Sequence, residues 1–263
     1  MPENDLALLI DAAEAAGTIA EGFWQTNPQT WEKPGGAGPV TEADLAVDRM
    51  LHAELTASRP DYGWLSEESV DTTARLDREY TFIVDPIDGT RAFVAGGEHW
   101  SHSLAIARGG QVTAAVVFLP VTGMLYAATL GGGATVNGTP MRVSARDRLD
   151  GASVLSAKPS LDPKHWPGGI PPIRRHFRPS LAYRLALVAE GRFDAMLTLH
   201  DTWEWDVAAG TLLALESGAV VSDKQGATPV FNNRHPALNG ILAGGAHVHA
   251  EISARLMNGP ARA

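Results

Sequence analysis

The stretch YTFIVDPIDGTRAF, residues 80–93, interrupts a run of strand-forming side chains with Asp85, Pro86, Asp88 and Gly89. Pro86 fixes a bend and Asp88 lies three positions after Asp85, so both carboxylates can turn towards one point. Two anions held together away from water either share a proton or bind a cation. Mg²⁺ suits such a site, because it takes carboxylate, carbonyl and water oxygens in octahedral geometry. Gly89 lets backbone approach a ligand closely, and Thr90 can open a short helix through Phe93 whose first amides face an anion such as phosphate. The plainer reading of the same residues is a turn in which Asp, Pro and Gly merely suit the backbone.

Other carboxylates shift the balance towards chemistry. WLSEES places Glu67 and Glu68 at the end of another short apolar run, eighteen residues before Asp85, and WEWDVAAG places Asp206 early in a helix, just after the aromatic neighbours Trp203 and Trp205. Taken singly, adjacent glutamates read as solvated loop and an early-helix aspartate as a response to the helix dipole. The histidines of HWSH (His99, His102) and HVH (His247, His249) have no acidic partner in a ligand pattern, so they read as packing or surface residues. His200 is near enough to Asp206 to line a pocket, yet a structural role is the simpler expectation. Trp203 and Trp205 read as core or pocket wall, since no basic stripe accompanies them. Arg174, Arg175 and Arg178 form either a solvated basic loop or a fork for a second phosphate.

The elements that must position these residues can be traced along the chain. Leu6, Leu9, Ala13, Ala16, Ala20 and Phe23 recur at helical steps, and after a Pro- and Gly-rich loop at 27–39 Thr41 caps a second helix running through Leu45, Met50 or Leu51 and Leu55 towards Pro60. YTFIVD reads as a buried strand, and SLAIARGGQVTAAVVFLP as two strands joined by a tight turn at Gly109-Gly110. Further strands and turns follow in MLYAATLGGGATVNGTPMRV, and then strand SVLSA, helix LAYRLALVAEG, strand FDAMLTL, helix WEWDVAAGTLLALESG closed by Gly218, strands AVVSD and GILAGG, and helix HVHAEISARLM. Such clusters favour helices packed on antiparallel or mixed sheets over a purely parallel doubly wound fold. A single catalytic domain is expected over 1–263, with lobes at roughly 1–150 and 151–263 and a seam near 145–180.

Composition excludes several classes of function. With 263 residues, 44% hydrophobic content and a formal net charge of −9, the chain is an ordinary acidic globular protein, unsuited to nonspecific binding of nucleic-acid polymers or anionic membranes. It has no cysteine, which removes disulfides, thiolate catalysis and cysteine-ligated zinc and leaves oxygen or histidine to hold any metal. The N-terminus MPENDLALLIDAAEAAG carries acids where a signal peptide carries bases, and no segment reaches a membrane span, so a cytoplasmic location is expected.

In order along the chain, Asp44 in PVTEAD, Glu67-Glu68 in LSEES, DPIDGT at 85–90 and WDVAAG around Asp206 resemble the signature of the inositol monophosphatase superfamily of Mg²⁺-dependent, Li⁺-sensitive phosphatases. The resemblance covers nearly the whole chain. A haloacid-dehalogenase phosphatase would instead show Asp-x-Asp, whereas two residues separate Asp85 from Asp88. The resemblance implies an α+β fold, a layered αβαβα sandwich of the inositol monophosphatase and fructose-1,6-bisphosphatase type. It also implies two Mg²⁺ ions, with a weaker third near Glu67. Glu67, Asp85 and the Ile87 carbonyl would hold the first ion, and Asp85, Asp88 and Asp206 the second. By the same resemblance Glu67 and Thr90 would activate the attacking water, with Asp44 bonded to the Thr90 hydroxyl. Gly89 and Thr90 amides would seat phosphate, with Lys33, Ser180 and Arg184 near the substrate.

The substrate implied is a small phosphate ester, and the assembly a homodimer. Inositol monophosphatases carry a glutamate seven residues before the WD aspartate, and that position is Leu199 here, which cannot accept a hydrogen bond from a sugar hydroxyl. GPVTEAD, LSEE, LVAEGRFD and EWDVAAG look closer to bacterial 3′(2′),5′-bisphosphate nucleotidases, although Ser180-Leu181-Ala182 stands where those have Gly-Ser-Ser. DPIDGTRAF followed by VAGGEHW is similar to histidinol-phosphate phosphatases of the same superfamily. A noncatalytic binding protein on this scaffold should have lost a metal ligand, and Glu67, Asp85, Asp88 and Asp206 are all present.

Overall fold

Leu9, Ala13, Ala16 and Ala20, spaced at helical steps, are fully buried along one side of α1 (Pro2–Phe23). The structure, a computed structural model, describes residues 2–33, 35 and 38–257. Residues 34, 36 and 37 of the expected loop lie outside the described residues, and within the rest of it β1 (Thr30–Glu32) pairs antiparallel with β2 (Pro39–Thr41). Thr41 caps α2 (Glu42–Ser58) as its sequence predicts. Its hydroxyl accepts the Ala43 and Asp44 amides, and the Asp44 carboxylate accepts the Thr41 amide in return.

A seven-stranded sheet follows, built in spatial order from β3 (Gly63–Ser66), β4 (Tyr80–Asp88), β5 (Ser101–Arg108), β6 (Gln111–Leu119), β7 (Met124–Thr129), β8 (Gly133–Val136) and β9 (Thr139–Pro140), with the short helix α3 (Thr90–Val94) between β4 and β5. Only β3 and β4 run parallel; the other pairs are antiparallel, and Gly109-Gly110 turns β5 into β6. The remaining elements are β10 (Ser153–Leu155), β11 (Arg174–His176), α4 (Leu181–Ala189), β12 (Ala195–Thr198), β13 (Thr202–Trp203), α5 (Glu204–Glu216), β14 (Val220–Ser222), β15 (Ala237–Leu238), β16 (Ile241–Gly244) and α6 (Ala246–Met257). A mixed five-stranded sheet has the order β11-β10-β12-β16-β14, and β13 and β15 form a small antiparallel ribbon.

Alternation along the strands defines the layers. Phe82 and Val84 of β4 point with Leu104 and Ile106 into a core closed by α1 and α2. Ile83 and Ala105 point the other way, into a core shared with Leu185 of α4, Leu212 and Leu213 of α5, and Met196 and Ala243 of the five-stranded sheet. The far face of that second sheet presents Val154, Leu197 and Leu242 to Val248 and Ile252 of α6. The result is helix, sheet, helix, sheet, helix, the layered α+β sandwich expected. β4 is buried on both faces, which explains why its sequence is continuously apolar rather than alternating.

The middle layer depends on one glycine. A Cβ on Gly210 of α5 would lie 2.5 Å from Leu185 Cβ of α4, so the last residue of WDVAAG is where the two helices touch. Gly210→Ala should therefore destabilise the protein by about 1–2 kcal/mol, because overpacking outweighs the roughly 1 kcal/mol gain in helix propensity. Thermal unfolding should show a lowered Tm; a raised Tm would mean that α4 and α5 can separate freely.

Candidate active site

The acidic site begins with a break in strand register. Asp85 pairs with Ser103 and Asp88 with Ser101, so three steps along β4 oppose two along β5 and β4 carries one extra residue between its carboxylates. Side chains three apart on a regular strand face opposite sides; the bulge cancels that change of side, and both aspartates line one cavity of about 660 Å³. Pro86 has no N–H to contribute to the ladder, and its carbonyl accepts the Nδ1–H of buried His102 instead.

Three elements bring their carboxylates to this point. Glu67 follows β3, Asp85 lies on β4 and Asp206 in the first turn of α5, and one oxygen of each falls within 4.8 Å of the others. Asp85 is buried, and its Oδ1 has no hydrogen-bond partner among the described residues. Burial pushes the Asp85 carboxyl well above the usual range, and the charges of Glu67, Asp88 and Asp206 push it further. Asp206 is raised in the same way by burial and by Asp88 and Glu67. Burial also pushes Asp88 up to about 6, although its Oδ2 accepts the Ser180 hydroxyl at 2.6 Å and the Ala182 amide at 2.7 Å. Crowded, buried, oxygen-only and left with an unpaired acceptor, this donor set fits a hard divalent cation.

Around the carboxylates the first-turn residues are fixed in turn. Gly89 caps α3 at φ +97°, a left-handed conformation, and a Cβ there would meet the His99 carbonyl at 3.4 Å, so glycine is the residue that suits this turn. The opening amides of α3 have no acceptor within the helix. Thr90 Oγ1 lies 3.2 Å from Asp44 Oδ1 and 3.1 Å from the Ile87 carbonyl, the contact with Asp44 that the resemblance implies. Asp44 is itself buried and pushed up to about 6 by that burial, against the bonds it accepts from Thr41. Lys33 Nζ lies 2.6 Å from both Glu67 Oε1 and Glu68 Oε1. Burial alone would lower the Lys33 ammonium, but the two glutamates together hold it well above its ordinary value. Glu68 is pushed up to about 7 by burial and then by Glu67.

Other expected substrate contacts lie elsewhere. Ser180 is fully buried: it caps α4 by accepting the Tyr183 amide at 2.8 Å and donates to Asp88, so it positions an acid rather than facing the cavity. Arg184 is buried beneath the 177–179 segment, donating to the carbonyls of Arg178 and Pro179 with its guanidinium 4.5 Å over the Phe177 ring. Burial lowers its pKa to about 10 despite the nearby Asp88 and Asp206. Leu199 packs with Ala152 and Trp166 in the outermost core. His99 stacks on Tyr183, and His249 accepts or donates to Ser222 Oγ at 2.9 Å, as packing residues do.

Sequence reasoning gave no role to Arg91, Phe177 or Pro179, which line the cavity beside Trp203 and Trp205. Arg91 immediately follows DPIDGT, a signal that was available; Phe177 sits in a loop with no pattern of its own. A second omission is the network that anchors the start of α5. Buried Glu204 accepts the Asn232 and Asn233 amides at 2.6 and 2.9 Å, and buried Arg75 donates to Asn232 Oδ1 at 2.5 Å and to the Asn233 carbonyl at 2.8 Å.

Two outcomes follow from this geometry. Ser180→Ala removes a helix cap and one bond to a buried carboxylate, and urea unfolding should show a loss of about 2–3 kcal/mol; a loss below about 0.5 kcal/mol would contradict the role assigned to Ser180. His102 is held neutral, its pKa pushed down to about 4 by burial. Between that value and the unfolded value near 6.5 the unfolded chain binds the extra proton, so stability is full above about 6.5 and declines by about 3 kcal/mol as pH falls to about 4. His102→Asn should flatten that part of the stability–pH curve, and an unchanged slope would show that His102 is not its source.

The sequence model of the inositol monophosphatase family matches residues 1–258. Inositol-1-monophosphatase of Rhizobium meliloti is 37% identical over 232 residues, covering 84% of this chain and 86% of the relative. Nus factor SuhB of Pseudomonas aeruginosa is 34% identical, covering 74% of this chain and 76% of its own. Among solved structures, extragenic suppressor protein suhB from Bartonella henselae superposes with a TM-score of 0.82 at 31% identity, covering 97% of this chain and 99% of that one. A Thermotoga maritima IMPase matches with a TM-score of 0.82 at 27% identity, covering 97% of each chain. Matched in sequence over residues 1–258 and in the order of its layers, the chain belongs to the inositol monophosphatase family.

Proposed function

We propose that the chain is a Mg²⁺-dependent phosphomonoesterase acting on a small phosphorylated metabolite, with Glu67, Asp85, the Ile87 carbonyl, Asp88 and Asp206 holding two ions and a weaker third ion near Glu67. The observation that carries this reading is the buried Asp85 oxygen left without a partner among the described residues, inside a set of carboxylates within 4.8 Å. Divalent ions there would lower the pKa of a bound water and neutralise charge on the ester oxygens. The chain's own groups do the rest. The Thr90 hydroxyl, tied to Asp44, orients the water, and Glu67 takes its proton. The Gly89 and Thr90 amides seat the phosphate, and Lys33 adds positive charge beside it. Ser180 holds Asp88, while Arg184 supports the Phe177 side of the cavity. No covalent phosphoenzyme is involved.

For the alcohol end, 3′(2′),5′-bisphosphate nucleotides and inositol monophosphate are the first candidates, the latter because relatives such as that of Rhizobium meliloti are named for it. Histidinol phosphate is the alternative. No helix among the described residues is long and apolar enough to cross a membrane. A cytoplasmic homodimer with a small-molecule substrate, Li⁺-sensitive like others of its resemblance, accompanies this reading.

Phosphate release should be measured on inositol-1-phosphate, phosphoadenosine phosphate, histidinol phosphate and fructose-1,6-bisphosphate, comparing kcat/KM. Asp88→Asn and Asp206→Asn should each lower it by at least about 100-fold, the upper range for losing even an outer partner of a metal site, while the fold is retained. Activity that survives both substitutions, or persists in excess chelator, would end the two-metal reading.

A further inference from the structure

We infer that the alcohol end of the ester carries a planar aromatic ring, which lies on the indole of Trp203 with Phe177 as a second apolar wall. This inference rests on the phosphatase reading above and concerns the part of the cavity that the acids do not occupy. Trp203 and Phe177 both line the cavity that contains Asp85, Asp88 and Asp206. They remain 41% and 48% exposed.

Neither ring is loose. Trp203 lies on the β13–β15 ribbon, stacked on Trp205 at 4.9 Å between ring centroids and 11° between planes, with the His235 ring meeting it at 5.5 Å and 69°. Phe177 is backed by the Arg184 guanidinium at 4.5 Å from its centroid. Trp203 is thus held by two aromatic partners and Phe177 by one cation, and both rings still leave surface open. A pre-positioned aromatic face of this kind suits stacking, which depends on a π surface and not on a particular pattern of hydroxyls.

The polar inventory supports the same conclusion. A polyol must be recognised through hydrogen bonds to its several hydroxyls. Away from the acids and Thr90, the lining offers the Lys33 ammonium and the Arg91 guanidinium as charged groups, beside Pro39, Ala92 and Pro179. Lys33 is already engaged by Glu67 and Glu68. Leu199, seven residues before Asp206, is packed in the outer core. A ring on Trp203 needs none of the missing acceptors.

The test compares esters that differ by the ring. Adenosine 5′-monophosphate is paired with ribose 5-phosphate, and histidinol phosphate with ethanolamine phosphate, so that the first pair reports a purine and the second an imidazole. In at least one pair the ring-bearing ester should have about tenfold higher kcat/KM, the order of one base stacked on an aromatic face. Trp203→Leu, which keeps apolar cover over Trp205, should bring that ratio near one, and Trp203→Phe should retain most of it. Titration calorimetry of the same pairs into the Asp206→Asn variant reads the preference without turnover. A ratio near one in both pairs, or a preference unchanged in Trp203→Leu, overturns the inference. Phosphate release with no ring preference rejects the ring alone. Where none of these four esters releases phosphate, the calorimetric preference decides the ring by itself, and the phosphatase reading stands or falls on the substitutions and chelator test given above.

Discussion

Like charges buried side by side are the constraint around which the molecule is arranged. Burial raises Asp88 to about 6 and raises Asp85 and Asp206 as well, so keeping all three ionised together at neutral pH costs stability. A fold retains such a cluster only if surrounding structure holds it in place. Here the bulge in β4 turns two acids to one side, the start of α4 donates to Asp88, the capping box of α2 holds Asp44, and Lys33 spans Glu67 and Glu68. Each is a local device with a different chemical basis, and all act on the same small volume.

The layers supply what the local devices cannot. Glu67 directly follows β3 and Asp85 lies on the adjacent parallel strand β4, whereas Asp206 rides on a helix of the middle layer whose spacing is set where Gly210 meets Leu185. The acids can meet within 4.8 Å only because that helix is pressed against the sheet. Packing density and site geometry are therefore one property of this protein: a shift of α5 would move Asp206 relative to Asp85 directly.

Much of this was legible in the chain because its signals are local. The cap at Thr41, the Gly109-Gly110 turn, the helical steps of α1 and each acidic motif taken by itself depend on residues a few positions apart. The layered α+β architecture followed from the resemblance and stands. What could not be read depends on distant partners. A bulge is defined only against the opposing strand. Ser180 looked like a substrate contact until its bond to Asp88, 92 positions away, placed it behind the acid. Arg75 reaches Asn232 across 157 positions, and no periodicity reports such a contact. Leu199 was read as a missing polar group beside the substrate, and the side chain belongs to a core instead.

The two ends of the cavity are built from unequal materials. At the acidic end stand a doubly buried strand, a helix cap and two packed helices; at the other stand a two-residue ribbon carrying Trp203 and an irregular segment carrying Phe177. A substitution among the first group disturbs the core, whereas one among the second alters only a wall. The wall of Trp203 and Phe177 can accordingly be altered at little cost to folding, whereas the acids and the layers that hold them must change together: the chain is stiff at one end of its cavity and thin at the other.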